Sequence, residues 1–196
     1  MRRVARFSGS PWEFERLTSI LVNKRTTKDK GVSKELKIDE LIRNKCRQGV
    51  RAKRLDEVAT IYSGDTPRAK EKSYWDGPIS WITPKDVSNG KMFIEHGERS
   101  ITQEGFDSCS AKMIPKGSVL MTSRAPVGNV AIAKKKLCTN QGMKSLVLND
   151  DQDTRYWYHA LVHAKRRIQD ASTTGTFSEI SKTAFSRLEF HAPPPY

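Results

Sequence analysis

The stretch from Ile61 to Trp81, IYSGDTPRAKEKSYWDGPISW, constrains this chain more than any other. An apolar pair leads into Ser63-Gly64-Asp65, Thr66-Pro67 follows, and a basic loop returns through Tyr74, Trp75 and Trp81. Glycine adopts backbone conformations that other residues avoid, and proline holds the residue before it extended. A turn is therefore expected at Gly64, with an extended Thr66 after it. The tryptophans bracket a strand-like run and belong in a core. The expectation is a charged loop held at both ends, with Arg68, Lys70 and Lys72 presented to a polyanion.

Downstream, short β-like runs at 79–83, 91–95, 118–123, 129–133 and 144–148 are separated by turns at Asn89-Gly90, Pro115-Lys116-Gly117, Pro126 and Gly142. This spacing predicts an α+β fold built on a compact, mainly antiparallel sheet with a few helices, and not a repeating βαβ unit. Trp157, Leu161, Ala164 and Ile168 recur at helical spacing and place one apolar face on a helix over 154–171. Thr173 to Phe177 reads as a turn, Ser181 as the cap of a short helix, and Arg187 to Phe190 as a last strand. Upstream, Trp12, Phe14, Leu17, Ile20 and Leu21 suit a short amphipathic helix, and Asn23 to Gly31 a polar linker. Leu36, Ile38, Leu41 and Ile42 form a second helical stripe that ends before Gly49. The expected organisation is an extension or linker over 1–33, a helical lead-in over 34–54, and the main domain over 55–196. Natural translation is expected to start near Val32.

Lysine and arginine number 35 against 22 acids, for a net charge of +13 and a pI near 9.8. An excess of this size attracts nucleic acid phosphates through counterion release, and acidic partners less selectively. No apolar run is long enough to cross a bilayer, and the basic start at Met1-Arg2-Arg3 is followed by polar residues instead of a secretory core. The reading is a cytoplasmic protein with no membrane partner. Cys46, Cys109 and Cys138 are isolated, which supports neither a disulfide framework nor a cysteine zinc site.

Several chemistries lack their residues. Pro193-Pro194-Pro195-Tyr196 is superficially like the adenine-methylating motif, but a proline stands where the hydrogen-bond acceptor is needed. Glu35-Leu36-Lys37, the acid-x-Lys triplet of a nuclease, falls in a basic helical segment. His159 and His163 share a helix face without the glutamate of a zinc protease. No Walker-type phosphate loop is present. No catalytic residue, metal or cofactor is expected.

A set of motifs in fixed order then carries a resemblance. Gly64-Asp65-Thr66-Pro67, Tyr74-Trp75-x-Gly77-x-Ile79-x-Trp81, Ile101-Thr102-x-x-Gly105, Pro115-x-Gly117-Ser118-Val119-Leu120, Ser123-Arg124 with Val127-Gly128, Asn140-Gln141-Gly142 and Gly175-Thr176-x-x-x-Ile180-Ser181 follow one another. Together they resemble the target recognition domain of type I restriction-modification specificity subunits. The resemblance implies a non-catalytic subunit that binds double-stranded DNA and reads one half of a bipartite site. It also implies partnership with methyltransferase subunits and, through them, restriction subunits. Such subunits pair two recognition domains through long helices, whereas one recognition unit is visible here. A half-subunit that pairs with a second copy or another half, a truncated product and a stand-alone DNA-binding cassette all remain open, as does a basic scaffold for an acidic protein.

Within that reading, four loops carry the donors suited to DNA: Arg68, Lys70, Lys72 and Tyr74; Lys85 after Thr83-Pro84; Ser123 and Arg124; and Thr174 and Thr176, with Lys144 beside them. Phosphate contact is the expected role of each, since most protein–DNA hydrogen bonds go to the backbone. Arg124 is alternatively a brace for the turn before Pro126, and Asn140-Gln141 a means of satisfying buried backbone groups.

Overall fold

Val119, Leu120, Met121 and Thr122 are consecutive and all buried, as are Val130 to Ala133. Side chains alternate across a strand, so such runs require a sheet covered on both faces. That requirement organises the molecule. A computed structural model describes residues 50–88, 90–124, 126–172 and 178–192. The expected helices at 12–21 and 36–44, Glu35-Leu36-Lys37, Asn89, the turn at 173–177 and the terminal prolines lie outside those residues.

The chain runs through β1 (Ala52–Arg54), α1 (Leu55–Val58), β2 (Ala59–Ser63), a 3-10 turn (Lys72–Tyr74), β3 (Trp75–Ile82), α2 (Pro84–Val87), β4 (Phe93–Ile94), β5 (Arg99–Ile101) and α3 (Gln103–Asp107). It continues through β6 (Val119–Thr122), β7 (Val130–Ala133), β8 (Cys138–Thr139), β9 (Met143–Leu148), α4 (Thr154–His163), α5 (Lys165–Asp170), α6 (Lys182–Ser186) and β10 (Glu189–His191). The fold is α+β. Its central sheet has the order β2-β9-β6-β7-β4, a second sheet the order β5-β3-β8, and β1 pairs with β10. Most pairs are antiparallel, but β3 with β8 and β4 with β7 are parallel. β8 is only two residues long, too short to leave a periodic signal in the sequence.

The two faces of the central sheet bury different sets of residues. Val119 and Met121 pack with Ile61, Leu146, Trp157, Leu161, Ile168 and Phe185 from the helical side. Leu120 faces the other way, against Ile82, Val87, Ile114, Leu137 and Met143. A third cluster, Trp75, Trp81, Ile101, Ala111 and Cys138, lies on the smaller sheet, where the two indole rings meet edge to face at 5.2 Å. The tryptophans are core residues, as their positions predict.

The helix expected over 154–171 bends at Ala164, where ψ is 3°. Asp153 caps its start by accepting from the Tyr156 amide at 2.6 Å. Past the bend Lys165 donates to Asn129 Oδ1 at 2.7 Å. The apolar face survives the bend, with Trp157, Leu161 and Ile168 fully buried. Ser181 caps α6 by accepting from Ala184 N, and the last strand follows it.

Candidate nucleic-acid interface

One end of the central sheet gathers most of the predicted site. In register, Ser63 of β2 lies opposite Lys144 of β9, and Met121 of β6 faces Lys144 from the other side. The exit of β2, the exit of β6 and the entry to β9 therefore coincide. Three loops meet there, and α2 sits beside them with Pro84 against Gly142.

The loop after β2 is fixed at its root by backbone approach. A Cβ on Gly64 would lie 2.1 Å from the Asn140 carbonyl oxygen and 2.2 Å from that of Thr139. Glycine is required here by crowding, since Gly64 is not among the residues with positive φ. The conformational reason expected from the sequence is thus replaced by a steric one. Asp65 N donates to Thr139 O at 3.0 Å. The Asp65 carboxylate accepts from Thr66 N and Ser110 N, each at 2.8 Å, and its carbonyl accepts from Trp81 Nε1 at 3.0 Å. The Thr66 hydroxyl donates to Gln141 Oε1. At the far end Trp75 Nε1 donates to Arg68 O at 3.4 Å.

Between those anchors Arg68, Lys70 and Lys72 are all exposed. Tyr74 is half-buried at the loop's base, its carbonyl accepting from Thr102 N at 3.0 Å. Sequence reasoning did not single out Arg99, whose guanidinium lies 3.5 Å over the Trp75 ring. That stacking brings a further exposed cation to the loop's anchor and is invisible without the β3–β5 pairing.

Lys85 occupies the first turn of α2, and its Nζ donates to Glu98 at 2.6 Å, with both side chains largely exposed. Glu98's hydrogen bond and charge raise the Lys85 pKa above its ordinary value. A solvated pair of this kind contributes little to stability, and a phosphate can replace the carboxylate. Asp86 holds the turn in place by accepting from Thr83 N, Thr83 Oγ1 and Glu98 N.

Ser123 and Lys144 are corrected by the structure: they are not surface donors. Ser123 is fully buried and Lys144 is 3% exposed, because β9 places Lys144 on the inner sheet face beneath residues 178–180. Lys144 Nζ donates to Ser123 Oγ at 3.2 Å and lies 3.9 Å from Glu179 Oε1. Burial lowers the Lys144 pKa, and the charge of Glu179 partly restores it. Arg124 remains half-exposed and donates from Nε to Glu179 Oε2 at 3.0 Å. Glu179, which the sequence did not flag, thus joins both cations. Asn140 plays its expected backbone role, accepting from Gly142 N at 3.0 Å, whereas Gln141 is exposed. Thr174 and Thr176 lie outside the described residues.

The arrangement is a rigid sheet end carrying exposed cations, and among the described residues no group of histidine, cysteine and acidic side chains is placed to hold a metal. Residues 48–196 match the family model described as the type I restriction modification DNA specificity domain. The chain belongs to that family. It is 40% identical over 147 residues to the specificity subunit of the type I restriction enzyme MjaIX from Methanocaldococcus jannaschii, covering 73% of this chain and 34% of that protein. It is 31% identical over 142 residues to the EcoR124I/EcoR124II specificity subunit from Escherichia coli, covering 68% and 35%. The chain thus spans about a third of the length of these curated relatives. In fold it is similar to the HsdS subunit from Thermoanaerobacter tengcongensis, with a TM-score of 0.59 and 18% identity over 92% of this chain and 39% of that one. Among the described residues no helix of this specificity-family chain is long and apolar enough to cross a membrane.

Proposed function

We propose that this chain supplies DNA sequence specificity to a type I restriction-modification complex. In this reading it binds one half of a bipartite duplex site and delivers it to methyltransferase subunits and, through them, to restriction subunits. It performs no catalysis itself and acts on DNA in the cytoplasm. The supporting observation is that the root of the Arg68–Lys72 loop, the start of the helix that carries Lys85 and the Ser123-Arg124 turn all meet residues 139–142 at one end of the sheet, in a chain of the specificity family. The exposed cations of the Arg68–Lys72 loop and Lys85 suit phosphate contacts that set the register of the protein on the duplex. Thr174 and Thr176 are proposed to extend the same surface.

The test is a binding selection from randomised duplex DNA at moderate salt, with the chain alone and with a methyltransferase subunit of its own system. Enrichment of a short half-site, tightened when the methyltransferase is present, is the expected result. A half-site that is indifferent to the methyltransferase would indicate a stand-alone DNA-binding cassette. Salt-sensitive binding without enrichment in either condition would refute sequence reading altogether.

A further inference from the structure

Arg124 is held in a manner that a phosphate contact does not require. Glu179 takes its Nε, and the two residues also form an antiparallel backbone bridge. The second Glu179 oxygen faces the buried Lys144, which grows from a central strand. Ser123, next to Arg124, is tied by its amide to Gly142 O at 2.8 Å and by its carbonyl to Ile180 N at 3.0 Å. The guanidinium is therefore held by a carboxylate whose backbone is bridged to that of Arg124 and whose second oxygen lies 3.9 Å from the Lys144 ammonium. Among the described residues the terminal nitrogens of Arg124 have no hydrogen-bond partner, and its side chain is 48% exposed.

Two consequences separate this arginine from Lys70 or Lys85. Glu179 offsets its charge, which weakens its pull on phosphate, but leaves its forward pair of N–H donors intact. A planar fork held at one orientation suits two parallel hydrogen bonds to a base edge, and guanine presents O6 and N7 as paired acceptors in the major groove. We infer that Arg124 reads a guanine in the half-site through its terminal nitrogens, with Glu179 and Lys144 acting as positioning residues. This rests on the DNA-reading role proposed above.

The experiment is the same selection, run on the full chain with its methyltransferase subunit, for the wild type, Arg124→Lys, Glu179→Gln and the double variant Glu179→Gln/Lys144→Met. The double variant removes both charges together, so that Lys144 is not left buried without its counter-ion. Melting temperatures establish that each variant is folded. A bidentate arginine gives about a ten- to hundredfold preference for its guanine. In Arg124→Lys that preference should fall severalfold at one position, with the other positions retained, because a point-charge ammonium cannot reproduce the planar fork. The salt slope should be unchanged, because the charge is kept. Glu179→Gln and the double variant should relax the same position. Uniformly weaker binding with the full motif retained in Arg124→Lys would overturn the inference and make Arg124 a phosphate contact. An unaltered motif and affinity would make it a brace. A wild type that selects no motif would instead refute the underlying DNA-reading role.

Discussion

Gly64→Ala tests the loop root most directly. The added methyl would sit 2.1 and 2.2 Å from two backbone oxygens, where carbon and oxygen normally stand about 3.3–3.6 Å apart. The β2 exit and the Thr139-Asn140 backbone must then separate by roughly 1 Å or more. That movement breaks the bonds from Gly64 N to Met143 O and from Asp65 N to Thr139 O. Two backbone hydrogen bonds at about 1 kcal/mol each, with about 1–3 kcal/mol of overpacking, give a destabilisation of about 3–5 kcal/mol. At about 2–4 °C per kcal/mol for a chain of this size, the melting temperature should fall by roughly 6–20 °C. Gly90→Ala is the control. Gly90 has φ of 72° but nothing within 4 Å of an added Cβ, so only the conformational penalty of about 1–2 kcal/mol applies. Urea unfolding followed by tryptophan fluorescence measures both variants, and Trp81 is bonded to Asp65 O at the loop itself. If Gly64→Ala costs no more than Gly90→Ala, backbone crowding is not what requires glycine at the loop root.

Three further outcomes are expected. A Lys70→Ala/Lys72→Ala variant should bind all duplexes more weakly and lower the slope of log affinity against log salt by about 0.9 for each phosphate that is no longer neutralised; an unchanged slope in a titration would place the phosphate-binding cations elsewhere. Burial pushes the Cys138 thiol up to about 12, so alkylation at mildly alkaline pH, followed by peptide mass mapping, should modify half-buried Cys109 before Cys138; early labelling of Cys138 in the folded protein would contradict its burial. Burial holds the native Lys144 pKa below its ordinary 10.5, so between those two values the unfolded chain binds more protons and this residue's contribution to stability rises with pH. Wild type should therefore gain on Lys144→Met as pH climbs through that window, and parallel urea-unfolding curves would refute it.

The features legible in sequence were those with local causes. The anchored loop followed from Pro67 and the returning aromatics, and the cap at Ser181 marks a helix start by side-chain chemistry alone. What escaped depends on residues far apart in the chain. Gly64 looks like a turn glycine until residues 139–140 are placed against it. Lys144 and Ser123 carry polar side chains in a turn-rich region. Only the β6–β9 register and the return of residues 178–180 bury them. Glu179 has no local signature for the same reason, since its partners lie at positions 124 and 144. The parallel pairing of β8 with β3 likewise joins segments that no short window contains.

The pairing of β1 with β10 reaches beyond the interface. Ala52 lies opposite His191, and Ala192 N donates to Arg51 O at 3.0 Å. The polypeptide thus enters and leaves the domain through a single doorway, with incoming and outgoing strands side by side. Everything between can be lifted out or exchanged as one piece without changing the distance that the flanking segments must span. If the chain reads DNA as proposed above, a surface built this way can be replaced wholesale, so a change of DNA target need not disturb the β1–β10 pair at its base.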